Sequence, residues 1–197
     1  MQLHKRDVVA KAAAILDSYG IADLTMRRVA RELDVTPGAL YWHFANKQEL
    51  LGAVADRVLA PACADPEPTG WRMRIEVVCR ALRDALLSHT DGAELVSASF
   101  AAGQSRAVEQ LLGVLAEAAG EAGVDAAHRV QAARTVLHYV LGATADEQSR
   151  LQWDAAGAEL PEHQSVLSGD PSAGFAFGLR LLTDGLAVQR VSSTELG

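Results

Sequence analysis

Arg27, Tyr41, Trp42, His43 and Lys47 carry the side chains of this chain best suited to act on another molecule, and the chemistry they suit is recognition. An arginine can fork onto a guanine edge or onto a phosphate through two parallel hydrogen bonds. Tyr41, Trp42 and His43 are consecutive, and each has an apolar body with a polar tip. Three successive residues of a helix cannot all face one side, so at least one must be turned towards a partner. Thr25, Tyr41 and Lys47 offer groups that hold phosphates. Gly38 and Ala39, just ahead of the aromatic run, are small enough to let a backbone come close. Together these residues describe a helix meant to lie in the major groove of DNA.

A second constellation is His138 with Asp146 and Glu147, where the spacing puts Asp146 near the histidine's face two turns on. No HExxH pair, nucleophile elbow or phosphate loop accompanies it. No catalytic residue, no metal site and no cofactor is therefore expected, and a helical enzyme or binding protein with a vestigial head is kept only as a remote alternative. Cys63 and Cys79 are expected as free thiols in a reducing compartment.

Helices must position these groups. One is expected over residues 4–19, with Val8, Ala12, Ile15 and Tyr19 at helical spacing and Gly20 as its stop. Thr25 can cap a second, whose buried face carries Val29 and Leu33. Asp34 and Val35 make a tight turn. Thr36 caps a third helix with Pro37 at its first position, where a missing N–H costs nothing. Leu40 and Phe44, four apart, face the core. Asn46 to Glu49 resembles a capping box and opens a fourth helix running to about Leu59.

Pro61, Pro66, Pro68 and Gly70 mark a break, so residues 1–60 are expected as one domain and 61–197 as another. Beyond the break, helices are expected near 71–88, 93–101, 104–121, 125–150 and 172–188. Their interior residues are Leu82, Leu86, Val108, Leu111, Leu115, Val130, Val136, Val140 and Leu181. Residues 151–171, with Gly157, Pro161, Gly169 and Pro171, read as a long loop that leaves Trp153 without an assigned role. The tail from Val191 reads as frayed. The fold class is all-α: a three-helix helix-turn-helix head, its outgoing fourth helix and a larger helical body.

The net charge of −7 speaks against nucleic acid, but its distribution does not. Residues 1–60 balance at +1 and hold all three lysines, whereas residues 61–197 carry −8. The N-terminus lacks the apolar core of a signal peptide, and no apolar run reaches the roughly 18 residues of a membrane span. A cytoplasmic location is expected.

The segment from Leu24 to Lys47 resembles the DNA-binding head of the tetracycline-repressor (TetR) family, most closely in Leu40-Tyr41-Trp42-His43 followed by Asn46-Lys47. Leu86 to Ala93 resembles the helix–turn at the edge of that family's drug pocket, and Phe175 to Leu179 resembles the start of its last helix. The resemblance implies an all-helical homodimer on a palindromic operator, released by a small molecule. It implies base or sugar–phosphate contacts from Arg27, Gly38, Ala39, Tyr41, Trp42 and His43, with Thr36 and Pro37 at the start of the reading helix, and phosphate contacts from Thr25 and Lys47. Pro37, Gly38 and Ala39 stand where the tetracycline repressors carry larger side chains, which implies a different operator.

The body departs further. The drug's anchors fall near Cys63, Val78, Leu82 and Val96, and a valine cannot ligate a metal. Tetracycline–magnesium is therefore not expected. Val78, Leu82, Leu86, Val96, Ser99, Phe100, Leu111, His138 and Asp146 are expected to line a mostly apolar site for a hydrophobic effector, with Glu147 nearby. Helices 125–150 and 172–188 are expected to pair across the dimer, with Gly174 and Gly178 permitting close approach. An activator, or a regulator without a ligand, is the alternative.

Overall fold

A computed structural model describes residues 3–63, 70–158 and 170–192. Nine α-helices lie among the described residues, with no strand among them. The head holds α1 (Lys5–Tyr19), α2 (Met26–Glu32), α3 (Pro37–Tyr41) and α4 (Lys47–Leu59). Thr25 Oγ1 accepts the Arg28 N–H at 3.1 Å and starts α2 as its cap. Asp34 turns the chain between α2 and α3 with φ of 54°. Leu40 and Phe44 are both fully buried, each worth about 1.5–3 kcal/mol of apolar burial, and they bind α3 to the core.

Four details of the head differ from expectation. Thr36 sits at the N-cap of α3, but its hydroxyl makes no cap hydrogen bond; only its carbonyl accepts, from the Ala39 N–H. The box at α4 is displaced by one residue. Asn46 Oδ1 accepts the Glu49 N–H at 2.8 Å, while the Glu49 carboxylate accepts from Ala45, not Asn46. Tyr19 is exposed and Leu33 only half-buried, because Tyr19 lies beneath the Arg28 guanidinium and Leu33 ends α2. Regular helix ends at Tyr41, so Trp42 and His43 belong to the turn that follows.

A short 3₁₀ turn, Ala60–Cys63, follows α4. The body comprises α5 (Trp71–Leu87), α6 (Gly92–Ala101), α7 (Arg106–Ala122), α8 (Arg129–Ala155) and α9 (Pro171–Ser192). Leu82, Leu86, Val108, Leu111, Leu115, Val136 and Val140 are interior as expected. Val130 and Leu181 are not: each is 59% exposed, on outward stripes of α8 and α9. The expected loop cannot begin at residue 151, because α8 continues to Ala155 and Trp153 projects from it into solvent. Pro66 and Pro68, Pro161 and Gly169, and the tail past Ser192 lie outside the described residues. Gly178 admits Tyr139, whose hydroxyl stands where a β-carbon would be, and Gly174 has nothing within 4 Å. The close approach at Gly178 is thus made within one chain.

Head and body meet at both ends of α6. At its C-terminal end, Asp56 of α4 accepts from Ser105 Oγ (2.7 Å) and from the Ala107 N–H (3.0 Å), which ties α4 to the start of α7. Beside it, Gly52 of α4 lies against the Gln104 backbone so closely that a β-carbon would collide with it. At the N-terminal end, the Ser88–Asp91 turn holds the end of α1.

Candidate nucleic-acid interface

Trp42 is 91% exposed, the most open of the large apolar side chains described, although its neighbours Leu40 and Phe44 are fully buried. Two buried anchors four residues apart therefore hold one face of α3 and its following turn and force Trp42 outward. Tyr41 is exposed beside it and His43 half-buried. Thr36, Pro37 and Gly38 are exposed at the start of α3, with Ala39 half-buried. The sole atom close to a β-carbon built on Gly38 is Thr36 Oγ1, at 3.8 Å, so the fold itself does not require a glycine there.

Arg27 is exposed on α2 and has no hydrogen bond or ion pair among the described residues, as is true of Arg31. The two line one cleft with Thr25. Arg28 is turned inward instead: its guanidinium lies 2.5 Å from Asp23 Oδ1 and 3.7 Å above the Tyr19 ring. Lys47 is half-buried at the first position of α4. Glu49 is held below the usual carboxylate range, first by the Ala45 N–H and then by Lys5, whose Nζ also lies 4.6 Å from the Phe44 ring centroid. These contacts fix α4 to the turn that carries Trp42.

The body places its candidates in three groups. Val78, Leu82, Leu86, Val96, Ser99 and Leu111 are buried in one core, where the Ser99 hydroxyl donates to the Leu95 carbonyl. Phe100 is half-buried and faces His138 (ring centroids 5.7 Å apart) under Arg134. His138 is exposed, as is Asp146, which pairs with Arg150 at 2.6 Å. Glu147 points elsewhere, into a bidentate pair with the buried Arg83 (2.9 and 2.7 Å). His138, Asp146 and Glu147 are therefore not assembled into a catalytic group. Arg83 lies 5.3 Å from the Phe175 ring, which stacks on Tyr139. Sequence reasoning passed over Arg83, because one arginine in an amphipathic helix carries no sign of its burial. A groove of about 620 Å³ between α8 and α9 is lined by Val136, Leu181, Leu182 and Leu186 among others, and by none of the residues expected to bind an effector. Both cysteines are free; burial pushes the Cys79 thiol up to about 12.

Residues 8–54 match the bacterial regulatory proteins of the tetR family, and residues 64–190 match the tetracyclin repressor-like C-terminal domain. The chain belongs to the TetR family. It is a DNA-binding transcriptional regulator and not an enzyme. Among TetR-family relatives, the class A tetracycline repressor of transposon 1721 from Escherichia coli is 32% identical, over 96% of this chain and 93% of its own. BioQ of Mycobacterium smegmatis is 64% identical with a TM-score of 0.89, covering 95% of this chain and 99% of that one. A BioQ structure with its natural double-stranded DNA operator is 62% identical (TM-score 0.83, 94% and 99% covered). A TetR variant from Acinetobacter baumannii in complex with minocycline is 31% identical (TM-score 0.71, 96% and 99% covered).

Proposed function

We propose that the protein is a repressor that holds a palindromic operator as a homodimer and releases it when a small, largely hydrophobic effector enters the body. The observation that carries this reading is the outward thrust of Trp42 between two fully buried anchors, together with an exposed, unpaired Arg27 on α2. In this reading residues 1–60 are the head and 61–197 the body, acting with the DNA in the cytoplasm. Arg27, Gly38, Ala39, Tyr41, Trp42 and His43 meet base edges or the sugars beside them. Thr25 and Lys47 meet phosphates, and Thr36 and Pro37 set the start of the reading helix against the backbone.

The dimer forms on α8 and α9. Phe177, Leu181 and Val188 are more than half exposed along one side of α9, and Val130 stands out from α8. Such a stripe is what a four-helix interface between two copies buries. Symmetry then places two heads at successive major grooves, about 34–36 Å apart. An effector that prefers a dimer with displaced heads lowers operator affinity by its differential affinity for the two states.

The effector's walls are Val78, Leu82, Leu86, Val96 and Leu111, with Ser99 among them and Phe100, His138 and Asp146 towards the rim. Valine at 96 favours an apolar molecule over a metal chelate. The Gly52–Gln104 and Asp56–Ser105 contacts make α4 the transmitter. A thermal-shift screen of apolar and amphipathic small molecules, followed by anisotropy on an operator selected from random DNA, tests the reading. The expected result is a molecule that raises the melting temperature and releases the operator. A molecule bound tightly that leaves operator affinity unchanged at fixed salt sinks the release mechanism and favours a ligand-independent regulator.

A further inference from the structure

The Ser88–Asp91 turn is held from two sides by different parts of the molecule. Towards the head, three successive residues grip the end of α1. His89 Nδ1 lies 2.8 Å from Asp17 Oδ1, Thr90 Oγ1 donates to the Asp17 carbonyl (3.0 Å), and Asp91 Oδ2 accepts the Ile21 N–H (3.0 Å). Towards the body, two glutamines one turn apart on α8 hold the same turn. Gln148 Nε2 donates to the carbonyls of Leu86 (3.1 Å) and His89 (2.8 Å), while its Oε1 accepts the Ala93 N–H (3.1 Å). One side chain thereby satisfies groups at the end of α5 and the start of α6. Gln152 Nε2 donates to Asp91 Oδ1 at 2.8 Å.

Asp91 is the shared piece: one carboxylate oxygen belongs to α8 and the other to the head. Hydrogen bonds to a carboxylate are short and directional, so the group cannot turn to follow one partner without losing the other. Its backbone is already fixed in the left-handed region, with φ of 53°. A small shift of α8 is therefore passed to Ile21, at the connection between α1 and α2. Arg28 carries it onward, because this α2 residue clasps both Tyr19 of α1 and Asp23 of that connection.

We propose that the Ser88–Asp91 turn is a second coupling device, by which the packing of α8 against the partner protomer sets the angle of the DNA-reading head through α1, separately from α4. It rests on the proposed dimer through α8 and α9. The device makes operator affinity depend on how the two protomers are seated, even with no effector bound.

Gln152→Ala removes the α8 contact to the Asp91 carboxylate, leaves Gln148 on the turn and the Asp91–Ile21 bond in place, and Gln152 is exposed, so folding is not at stake. Asp91→Asn offers a single acceptor oxygen, so with Ile21 keeping it the Gln152 arm survives only if the Gln152 amide turns over, and the charge that strengthened both bonds is gone. Full-length protein carrying Ala14→Cys in a Cys63→Ser background is spin-labelled, and the distance between the two heads is measured by pulsed dipolar spectroscopy. Sedimentation, melting and operator anisotropy are run on the same samples. Expected for Gln152→Ala are an intact dimer, an unchanged melting temperature, a broadened head-to-head distance and operator binding about tenfold weaker. A wild-type distance distribution and wild-type affinity in an intact dimer overturn the proposal, as does a drop in melting temperature without head movement. A monomeric wild type overturns the dimer reading itself, and this proposal with it.

Discussion

Replacing Gly52 by alanine gives opposite predictions from the isolated helix and from the folded protein. In a helix interior, alanine is favoured over glycine by about 1 kcal/mol, so helix arithmetic alone expects stabilisation. In the structure, a β-carbon on Gly52 stands 2.7 Å from the Gln104 carbonyl carbon and 2.8 Å from its β-carbon, and its oxygen is nearer still. Ordinary contact begins near 3.4 Å, so α4 and the loop before α7 must part by more than about 0.7 Å. The neighbour is backbone and cannot swing aside. Overpacking of this kind costs about 1–3 kcal/mol, so after the helix gain the expected net loss is at most about 2 kcal/mol. If that loss falls on the arrangement that seats the head, operator affinity drops by up to about 30-fold. Thermal melting and operator anisotropy at fixed salt measure both quantities. A variant that melts higher than wild type and binds equally well refutes the contact. One that melts lower but binds equally well refutes α4 as the transmitter.

Trp42→Ala should weaken operator binding by about 1–3 kcal/mol and leave the melting temperature unchanged, since the side chain is 91% exposed. Arg28→Ala should reverse that order, lowering the melting temperature more than affinity, because Arg28 holds Tyr19 and Asp23. Cys79, whose thiol burial holds at about 12, should resist iodoacetamide at about pH 8 while the half-buried Cys63 is modified, as mass spectrometry of the native protein would reveal. Glu49 has a lowered pKa in the folded state, so its stabilisation is present above the ordinary carboxylate pKa and is lost as pH falls through the lowered value. Melting followed from about pH 6 to about pH 3 should show that loss, and Glu49→Gln should flatten it.

The head was legible because its signals are local. A cap at Thr25, a proline at the first position of α3, and Leu40 and Phe44 one turn apart each act within a few residues. The same locality explains the aromatic run, since the buried pair leaves Trp42 one direction to go. The body was less legible because its decisive contacts join residues far apart in the chain. Arg83 with Glu147, Asp56 with Ser105, and Asp91 with Gln152 are ordinary surface residues by sequence pattern. Val130 and Leu181 read as interior because periodicity marks an apolar stripe without saying whether this chain or another covers it. His138 and Asp146 were hard to place for the converse reason: polar residues on α8 gave no sign of which face they occupy, and both lie outside the core.

The most direct test of the account is selection of bound sequences from random DNA, run with wild type and with the Arg27→Ala, Trp42→Ala double variant. The account predicts a palindromic site with half-site centres about 10–10.5 base pairs apart, or a multiple of that, and no enriched sequence for the double variant. An unrepeated site, or the same site recovered by the double variant, would contradict it.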